Sequence, residues 1–327
     1  MDNAIYCCGE ALIDMLPARD AEGNSCCQPV PGGAVFNTAI ALGRLRAPAG
    51  FIAGVSRDLF GTQLVEALEA SAVDASLCPR SDRPTTLAFV KLVDGQAQYA
   101  FYDENTAGRL FELGDLPTLP PTVGTLHFGA ISLVSEPCGT AYEQLLLREA
   151  DHRVISLDPN IRPGFIQDAD RHRARIERLI ARSDIVKVSD EDLAWLVPGL
   201  DPADDGAVQG WLDATFDAGV SLIALTRGGG TTRLLTGRHS VQQTPTPRAV
   251  VDTVGAGDTF NAGLLSALLD MQALSKDALG ELGETQLHGA LTRAMSVAGR
   301  VVECAGANPP WRADLSDDEL ALPGDTP

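Results

Sequence analysis

The second half of the chain alternates short, mostly apolar runs with longer stretches of helical periodicity. Four such runs begin at Leu126, Val154, Ile185 and Leu222. Strands that are apolar on both faces are typical of a parallel sheet that is covered by helices on each side. The pattern therefore predicts an α/β fold, a three-layer sandwich with a central, mostly parallel sheet.

The rest of the chain adds elements to this sandwich, which we assign from apolar spacing and turn-forming residues. They are a strand at Ala4–Ile13, a loop region at Pro17–Pro31, a helix at Asn37–Leu45, a short strand at Gly50–Val55, a helix at Gly61–Ala72, and two long helices at about Asp258–Met271 and Thr285–Cys304.

Between Thr85 and Tyr102 the pattern changes to extended alternation on either side of Asp94-Gly95. An Asp-Gly turn between two such runs predicts a β-hairpin. If the hairpin pairs with the strand near Ala11, the two form a small sheet outside the main one. We expect this sheet to be a lid, built from about residues 10–32 and 85–105 of a single domain that spans residues 1–327.

The charge of the chain argues against nucleic acid as a partner. Asp and Glu outnumber Lys and Arg by 44 to 25, which gives a net charge of −19, whereas nucleic-acid binding depends on basic side chains. The only lysines are Lys91, Lys187 and Lys276, and none follows a glycine. The P-loop signature is therefore absent.

The cysteines and the N-terminus indicate where the protein works. The chain has seven cysteines and no C-x-x-C spacing, so we expect no structural zinc site and free thiols in a reducing compartment. Asp2, Glu10 and Asp14 interrupt the N-terminal apolar stretch, which disfavours a signal peptide or membrane span. We therefore expect a cytoplasmic protein that does not bind membranes.

One glycine-rich string carries most of the chemical information. Gly255, Ala256 and Gly257 lie at a predicted helix start, where free amide groups and the helix dipole attract an anion. Asp258 follows them directly, and a carboxylate beside an anion site has a use if it accepts a proton from a hydroxyl that attacks phosphorus. Asp258 could instead be an ordinary acidic residue of a first helical turn, which is common. The spacing does not match a dinucleotide-binding fingerprint, which disfavours an oxidoreductase.

The string Asp252–Gly263 resembles the C-terminal signature of the ribokinase-like sugar kinases of the phosphofructokinase-B type. Far upstream, Pro31–Ala39 resembles the Gly-Gly…Asn signature of the same family, and the resemblance extends from Ile5 to about Pro310. It implies a kinase of the ribokinase-like fold that uses ATP. In the family, the amides at Gly255, Ala256 and Gly257 form an anion hole for the transferred phosphoryl group, and Asp258 is the catalytic base.

The resemblance also implies a set of sugar-binding residues. Asp14 corresponds to an acidic residue that accepts hydrogen bonds from sugar hydroxyls, and Gly32, Gly33 and Asn37 correspond to the sugar-binding turn. The segment 157–162 is similar to the Asp-Pro-Asn-x-Arg segment of fructokinases and 2-keto-3-deoxygluconate kinases. This similarity implies that Arg162 contacts the substrate or its phosphate.

Nucleotide-binding positions follow from the same resemblance. They are Asn160, Lys187, Ser189, Thr226, Gly228 and Asn308. Asp192 stands where the family has the glutamate of an Asn-x-x-Glu motif that organises Mg²⁺ through water, so this chain departs from the motif by carrying Ser189-x-x-Asp192. Asp252 and Thr253 match positions that hold a monovalent cation such as K⁺.

The lid hairpin suggests the acceptor. The 2-keto-3-deoxygluconate kinases typically carry Tyr-x-Arg on its second strand, where this chain has Tyr99–Asp103. Strand alternation places Phe101 and Asp103 on the substrate-facing side, and an aspartate there would repel a carboxylate. Because residues 104–107 also resemble bacterial fructokinases, the resemblance implies phosphorylation of D-fructose to fructose 6-phosphate with ATP and Mg²⁺.

Other interpretations of the family resemblance stay open. The acceptor could be 2-keto-3-deoxygluconate, ribose or a nucleoside. A non-catalytic sugar or nucleotide sensor on the same fold is a further alternative, although the family's aspartate is retained as Asp258. The exposed edge expected for the lid sheet indicates a homodimer that forms through the lid.

Overall fold

The structure is a computed structural model that describes residues 3–93 and 96–322, with side chains described for all of these except 90–93 and 96–99. Its strands are β1 (Ala4–Cys8), β2 (Leu12–Arg19), β3 (Ser25–Gly32), β4 (Ala49–Ile52), β5 (Val55–Ser56), β6 (Val73–Asp74), β7 (Arg80–Ser81), β8 (Leu87–Val93), β9 (Gln96–Tyr102), β10 (Val123–Gly129), β11 (Val154–Asp158), β12 (Ile185–Ser189), β13 (Leu222–Thr226), β14 (Thr232–Leu235) and β15 (Ser240–Gln243). Its α-helices are α1 (Ala34–Arg44), α2 (Leu59–Ala70), α3 (Cys138–Glu149), α4 (Ala169–Ile180), α5 (Asp190–Leu196), α6 (Asp205–Asp217), α7 (Ala256–Asp270), α8 (Lys276–Gly280), α9 (Glu284–Val301) and α10 (Asp317–Leu320).

The main sheet has nine strands in the order β15-β14-β13-β12-β11-β10-β1-β4-β6. The strands from β13 to β6 pair in parallel, and β14 and β15 extend the sheet in antiparallel fashion. Parallel strands need crossover connections, which the helices between them supply. The central, mostly parallel sheet that the apolar runs predict is therefore confirmed.

Consecutive residues of the main sheet enter two different cores. Along β1, Ile5 and Cys7 belong to the core that α1, α7 and α9 cover, whereas Tyr6 and Cys8 belong to the core that α3, α4 and α6 cover. This alternation follows from the two-residue period of a strand. Helices on both faces explain why these strands are apolar at almost every position, and they confirm the three-layer arrangement.

A separate four-stranded sheet, in the order β3-β2-β8-β9, forms the lid sheet. Strand β2 pairs antiparallel with β3 and parallel with β8, and β8 pairs antiparallel with β9. The predicted hairpin and its pairing with the N-terminal segment are confirmed. Its expected turn at Asp94-Gly95 lies outside the described residues.

Two expectations for the N-terminal part are wrong. The first strand ends at Cys8, because the chain leaves the main sheet there and enters the lid sheet at Leu12. The segment 17–31 is the end of β2 and nearly all of β3, although Pro29 and Pro31 argue against a strand. Strand β3 lies at the edge of its sheet, where a missing amide hydrogen is tolerated.

Helix boundaries shift by two or three residues from the predicted ones. Helix α1 begins at Ala34 rather than Asn37, and α7 begins at Ala256 rather than Asp258. The second difference matters for the site, because it makes Gly255 the N-cap residue of α7. In the described part of the chain, no helix is both long enough and apolar enough to cross a membrane.

Candidate active site

A cavity of about 460 Å³ opens where the carboxyl ends of the parallel strands face the lid sheet. We call it the acceptor cavity. Asp14 and Phe101 line it from the lid sheet, Asn37 from α1, Lys187 from β12 and Asp258 from α7. Ligands of α/β sheets bind at this edge, so the fold places these polar residues where a ligand belongs.

The start of α7 forms an anion-binding turn. Gly255 is its N-cap residue and has φ 79°, a left-handed conformation that glycine adopts without strain. A Cβ at Gly257 would lie 3.2 Å from the Lys187 ammonium nitrogen. The amides of a first helical turn have no partner within the helix. The amide of Ala256 donates a 3.3 Å bond to the Thr253 carbonyl, so the turn offers mainly the amides of Gly255 and Gly257. They lie next to a buried positive charge, which suits a phosphate.

Asp258 is buried in the first turn of α7 and is fixed by α1. The Asn37 side-chain amide donates a 2.9 Å hydrogen bond to Asp258 Oδ2, and the Thr38 hydroxyl donates a 3.2 Å bond to the Asp258 backbone carbonyl. Burial raises the pKa of Asp258 to about 7, against the opposing effects of Asn37, Lys187 and Arg162. Such a carboxylate can take up a proton near neutral pH.

A buried ion pair lies beneath the anion-binding turn. Lys187 Nζ lies 3.0 and 3.3 Å from the two carboxylate oxygens of Asp158, and the Asn261 amide donates a 2.7 Å bond to Asp158 Oδ2. Burial alone would lower the pKa of Lys187, but the facing carboxylates, led by Asp158, raise it. Lys187 therefore stays charged beside Gly257.

The lid side of the cavity contributes Asp14. The Asp14 carboxylate occupies the space that a side chain at Gly32 would need, so glycine is required there. Burial raises the pKa of Asp14 to about 6. Gly33, with φ 112°, is the N-cap residue of α1 and provides no side chain to cap that helix.

Glu10 supplies the missing cap. Its Oε1 accepts hydrogen bonds from the amides of Ala34 (2.9 Å) and Val35 (3.4 Å), and its Oε2 accepts one from the amide of Ser132 (3.3 Å). Burial raises the pKa of Glu10 to about 7. Glu10 lies just before β2 of the lid sheet. It therefore connects the start of that sheet to α1, the helix that hydrogen-bonds to Asp258.

Three of these residues, Glu10, Asp158 and Asn261, have no role among the sequence-based predictions. Asp158 is the aspartate of the Asp-Pro-Asn-x-Arg segment, and an acidic residue at the end of a buried strand is a signal that could have assigned it a role. Glu10 accepts a hydrogen bond from the amide of Ala34, 24 residues further along the chain. Asn261 donates a hydrogen bond to Asp158, 103 residues before it. No local pattern reveals either partnership.

Most of the predicted site residues meet in the acceptor cavity. Its lining includes Asp14, Gly33, Asn37, Phe101, Asn160, Arg162, Lys187, Ser189, Asp192, Thr226, Gly228, Thr253, Gly255, Gly257 and Asp258. The described lining does not include Gly32, Asp103, Ala256, Asp252 or Asn308. Gly32 and Ala256 still shape the site, because Gly32 gives room to the Asp14 carboxylate and Ala256 is the first residue of α7.

Asp103 follows the last residue of β9 and lines two cavities together with Phe101, so the two side chains lie on the same side of the hairpin. Of the two, Phe101 also lines the acceptor cavity. The Asp103 carboxylate instead forms a 2.9 Å ion pair with Arg109 and lines a neighbouring cavity. The argument that Asp103 repels a carboxylate substrate therefore loses its basis.

Asp252 and Asn308 hold loops together around the site. The Asp252 carboxylate accepts hydrogen bonds from the amides of Val254 (3.0 Å) and Gly306 (2.9 Å). The side-chain oxygen of Asn308 accepts a 2.7 Å bond from Arg44. Asp252 thus joins the loop before α7 to the segment after α9.

Asp192 is also engaged by the protein. Its Oδ2 accepts bonds from the amide (2.9 Å) and hydroxyl (2.7 Å) of Ser189, and its Oδ1 accepts a 2.7 Å bond from the amide of Ile161. Oδ1 keeps one lone pair for a water molecule. In the described residues, no group of three His, Cys, Asp or Glu side chains could hold a metal ion. A magnesium ion would therefore need the phosphates of a nucleotide as its main ligands.

An amide-lined anion site, a buried carboxylate and a lid-covered cavity define a kinase that acts on a small molecule. The chain belongs to the pfkB family of carbohydrate kinases, whose family model matches residues 2–314. It is 52% identical over 283 residues to a fructokinase of Rhizobium leguminosarum bv. trifolii, covering 86% of this chain and 85% of the relative.

Two further comparisons agree with this assignment. A probable chloroplastic fructokinase-6 of Arabidopsis thaliana is 33% identical over 93% of this chain and 79% of its own length. A crystal structure of a fructokinase with bound ATP from Xylella fastidiosa superposes with a TM-score of 0.84 over 94% of each chain, at 25% identity. The main sheet and the lid sheet together therefore form the fold of these sugar kinases.

Proposed function

We propose that this protein transfers the γ-phosphoryl group of ATP to the 6-hydroxyl of D-fructose, which gives fructose 6-phosphate and ADP. The 52% identity to a bacterial fructokinase supports the choice of sugar. One structural observation carries the chemistry: the buried Asp258 carboxylate lies in the acceptor cavity directly behind the anion-binding turn at Gly255–Gly257.

Asp258 acts as the general base in this proposal. Asn37 already donates to Oδ2, so we assign the proton of the sugar's 6-hydroxyl to Oδ1, the oxygen with both lone pairs available. As that proton moves to Asp258, the sugar oxygen forms its bond to the γ-phosphorus, and the bond from this phosphorus to the bridging oxygen of ADP breaks. Asp258 then returns the proton to solvent.

The anion-binding turn stabilises the charge that is transferred. The free amides at the start of α7 and the Lys187 ammonium group beside Gly257 face the position of the γ-phosphoryl oxygens. Preorganised donors of this kind stabilise a transition state without reorganisation. Asp158 holds Lys187 in place, and the lid sheet excludes water from the cavity.

The cations are part of the proposal. Bound with the nucleotide, Mg²⁺ would neutralise part of the phosphate charge; Asp192 would contact it through water, because Oδ1 retains one lone pair. For K⁺, the backbone carbonyls of Asp252 and Thr253 are the proposed ligands, while the carboxylate of Asp252 holds the loop through the amides of Val254 and Gly306. Replacing K⁺ by tetramethylammonium in the assay tests this second assignment.

We further propose a single domain that dimerises through its lid sheet in the cytoplasm. Strand β3 lies at one edge of the lid sheet, where unpaired backbone groups can pair with a second copy. The cysteines are all free, which suits a reducing compartment. Light scattering of the purified protein tests the dimer directly.

The second candidate acceptor is 2-keto-3-deoxygluconate. Arg162 lines the acceptor cavity and lies close enough to Asp258 to affect its pKa. The carboxylate of Asp103 is neutralised by Arg109. Arg162 therefore offers the carboxylate of a sugar acid one cationic partner, in a cavity that Asp14 and Asp258 also line.

An ATP-consumption assay across acceptors decides between these proposals. The panel is D-fructose, 2-keto-3-deoxygluconate, D-ribose and a nucleoside, each with wild-type enzyme and with Asp258→Asn. We expect the highest kcat/KM for fructose, and turnover that depends on Asp258. A higher kcat/KM for another acceptor would refute the choice of fructose, and no turnover on any acceptor would favour a sensor.

A further inference from the structure

Three cavities of this protein meet at two aromatic side chains. Phe101 and Phe165 both line the acceptor cavity, a cavity of about 680 Å³ on its other side, and a smaller one near Thr86. We call the 680 Å³ cavity the side chamber. In the described lining, no other residue is common to all three cavities.

The two rings close the passage by direct contact. Their centroids lie 4.2 Å apart with an interplanar angle of 90°, an edge-to-face arrangement that aromatic pairs favour. Phe101 belongs to β9 of the lid sheet, whereas Phe165 ends the short 3-10 helix at 163–165 that follows β11 of the main sheet. The partition therefore forms only where the lid meets the main body of the protein.

The side chamber is lined by polar and charged side chains, several of which form ion pairs. Arg109 pairs with Asp103 at 2.9 Å, and Arg171 and Arg175 pair with Glu136 at 2.8 and 2.6 Å. Each of these side chains lines the chamber, as do Arg162 and Asp168. Its walls could therefore solvate the polar atoms of a ligand.

An acceptor whose reacting hydroxyl reaches Asp258 places its remaining carbons in the rest of the acceptor cavity. Phe101, Phe165 and Arg162 line both cavities and form the wall between them, whereas Asp258 does not line the side chamber. Atoms added to the end of the sugar remote from the reacting hydroxyl would therefore meet this wall, in which the two rings are in direct contact. Beyond the rings lies more free volume than the acceptor cavity itself contains.

We propose that the Phe101–Phe165 pair is the specificity-determining element that limits the length of the acceptor. Selection against longer acceptors then rests on the shape of this aromatic partition and not on the charge of Asp103. The proposal rests on the proposed phosphorylation of fructose. It deepens that function by naming the residues that end the sugar site.

The test uses fructose ethers of graded length: 1-O-methyl, 1-O-propyl and 1-O-benzyl D-fructose. The measured quantity is kcat/KM for each ether divided by kcat/KM for fructose, in wild type, Phe101→Ala and Phe165→Ala. We expect the wild-type ratio to fall steeply with length. Each variant should raise the ratio for the propyl and benzyl ethers by about tenfold or more, the scale of one or two methylene groups in a fitted pocket.

Phe89→Ala is the matched control. Phe89 lies on the lid strand β8, and its ring packs against Tyr102 at 5.4 Å and not against Phe165. This control should keep the wild-type ratio. If Phe101→Ala disturbs the lid and lowers the turnover of fructose as well, Phe165→Ala decides the matter, because Phe165 belongs to the main body of the protein.

Two results would refute the proposal that the aromatic pair limits acceptor length. The first is an unchanged ether ratio in Phe165→Ala. The second is a change in KM that is equal for fructose and for its ethers, which would mean that the pair acts in lid closure. If the wild type prefers another sugar, the proposed function fails separately. The partition is then tested with matched ethers of the preferred sugar, and the same ratios support or refute it.

Discussion

The two walls of the acceptor cavity are built in opposite ways. On the main-body wall, the buried Asp258 accepts a hydrogen bond from Asn37, and the buried Lys187 pairs with Asp158, which Asn261 holds. On the lid wall, the polar side chain is Asp14, set in a sheet whose edge strand β3 is mostly exposed. The proposed base is thus fixed by many partners, whereas the proposed sugar contact Asp14 lies in a sheet with an exposed edge.

This difference predicts how substitutions on each wall affect kcat and KM. A change on the main-body wall leaves a buried partner unsatisfied and displaces the reacting atoms, so it should lower kcat. A change on the lid wall removes a contact with the sugar and should mainly raise KM.

The largest effect is expected for Asp258→Asn. Removing the general base should lower kcat by about 10³-fold, while the KM for fructose stays within about threefold, because Asn can still accept the bond from Asn37. Steady-state kinetics together with calorimetric titration of fructose measures both quantities. Undiminished turnover would remove Asp258 from the mechanism.

A smaller loss is expected when the buried ion pair is changed. Lys187→Met should lower kcat by about 10²-fold, since it removes a charge beside the anion-binding turn. It should also move the acid limb of the pH profile upward, because Lys187 lowers the pKa of Asp258, whereas Asp158→Asn should move it downward.

Opposite shifts of the acid limb in the two variants would show that the substitutions act through charge and not through damage to the fold. Each single variant leaves a buried partner without its counter-charge, and the double variant Lys187→Met, Asp158→Asn removes both charges. The double variant should be thermally more stable than Lys187→Met, but its turnover should stay as low as that of Lys187→Met. Shifts in the same direction for the two single variants would contradict the proposed role of the pair.

On the lid wall, Asp14→Asn should raise the KM for fructose by about tenfold, the effect of losing a hydrogen bond to a charged group. Its kcat should change by less than about threefold, because Asp14 contacts neither phosphate nor base. Initial-rate kinetics over a range of fructose concentrations measures both. A loss confined to kcat would mean that the lid wall takes part in the chemistry.

Glu10 links the two walls, and its pKa makes a stability prediction. The native state binds its proton up to about pH 7 and the unfolded state only up to about 4.5. The contribution of Glu10 to the free energy of unfolding therefore falls as pH rises between these values. From pH 5.5 to 8 this loss amounts to about 2 kcal/mol, and Glu10→Gln should abolish it.

Urea unfolding of wild type and Glu10→Gln at both pH values measures that difference. Glu22→Gln is the control, since Glu22 is exposed on the turn between β2 and β3. The control should follow the wild type at both pH values. If Glu10→Gln shows the wild-type dependence as well, Glu10 is not protonated within the fold.

The smallest effect is expected for Asp103→Asn. Asp103 pairs with Arg109 in the side chamber and not in the acceptor cavity, and partly exposed ion pairs contribute little. The kcat/KM for fructose should change by less than about threefold. A tenfold loss would place Asp103 at the sugar and would weaken the contrast between the two walls.

Local sequence was sufficient for the parts of the fold whose cause is local. The apolar runs at Val154 and Ile185 predict buried parallel strands, and both lie in the main sheet. The glycines at 255 and 257 predict a helix start, and α7 begins between them. Strand β3 escaped prediction because its exposed, proline-containing sequence lacks an apolar face, and its pairing with β2 alone defines it.

The site shows the same division. Asp258 and Asn37 were found from motifs, and the structure brings them into contact across 221 residues. Asp103 lies on the same side of the hairpin as Phe101, but its ion pair with Arg109 has no signal in the strand alternation. Glu10 and Asn261 could not be assigned, since their partners are set by packing and not by spacing along the chain.

The most direct test of the account is the pH dependence of kcat/KM for fructose, measured in wild type and in Glu10→Gln. The central claim is that burial holds the proton affinity of Asp258 near neutrality, where the base can work. We predict an acid limb that bends at about pH 7 in both enzymes, with activity lost as pH falls. A limb that bends near pH 4, the ordinary range of an aspartate, or one that disappears in Glu10→Gln, would contradict it.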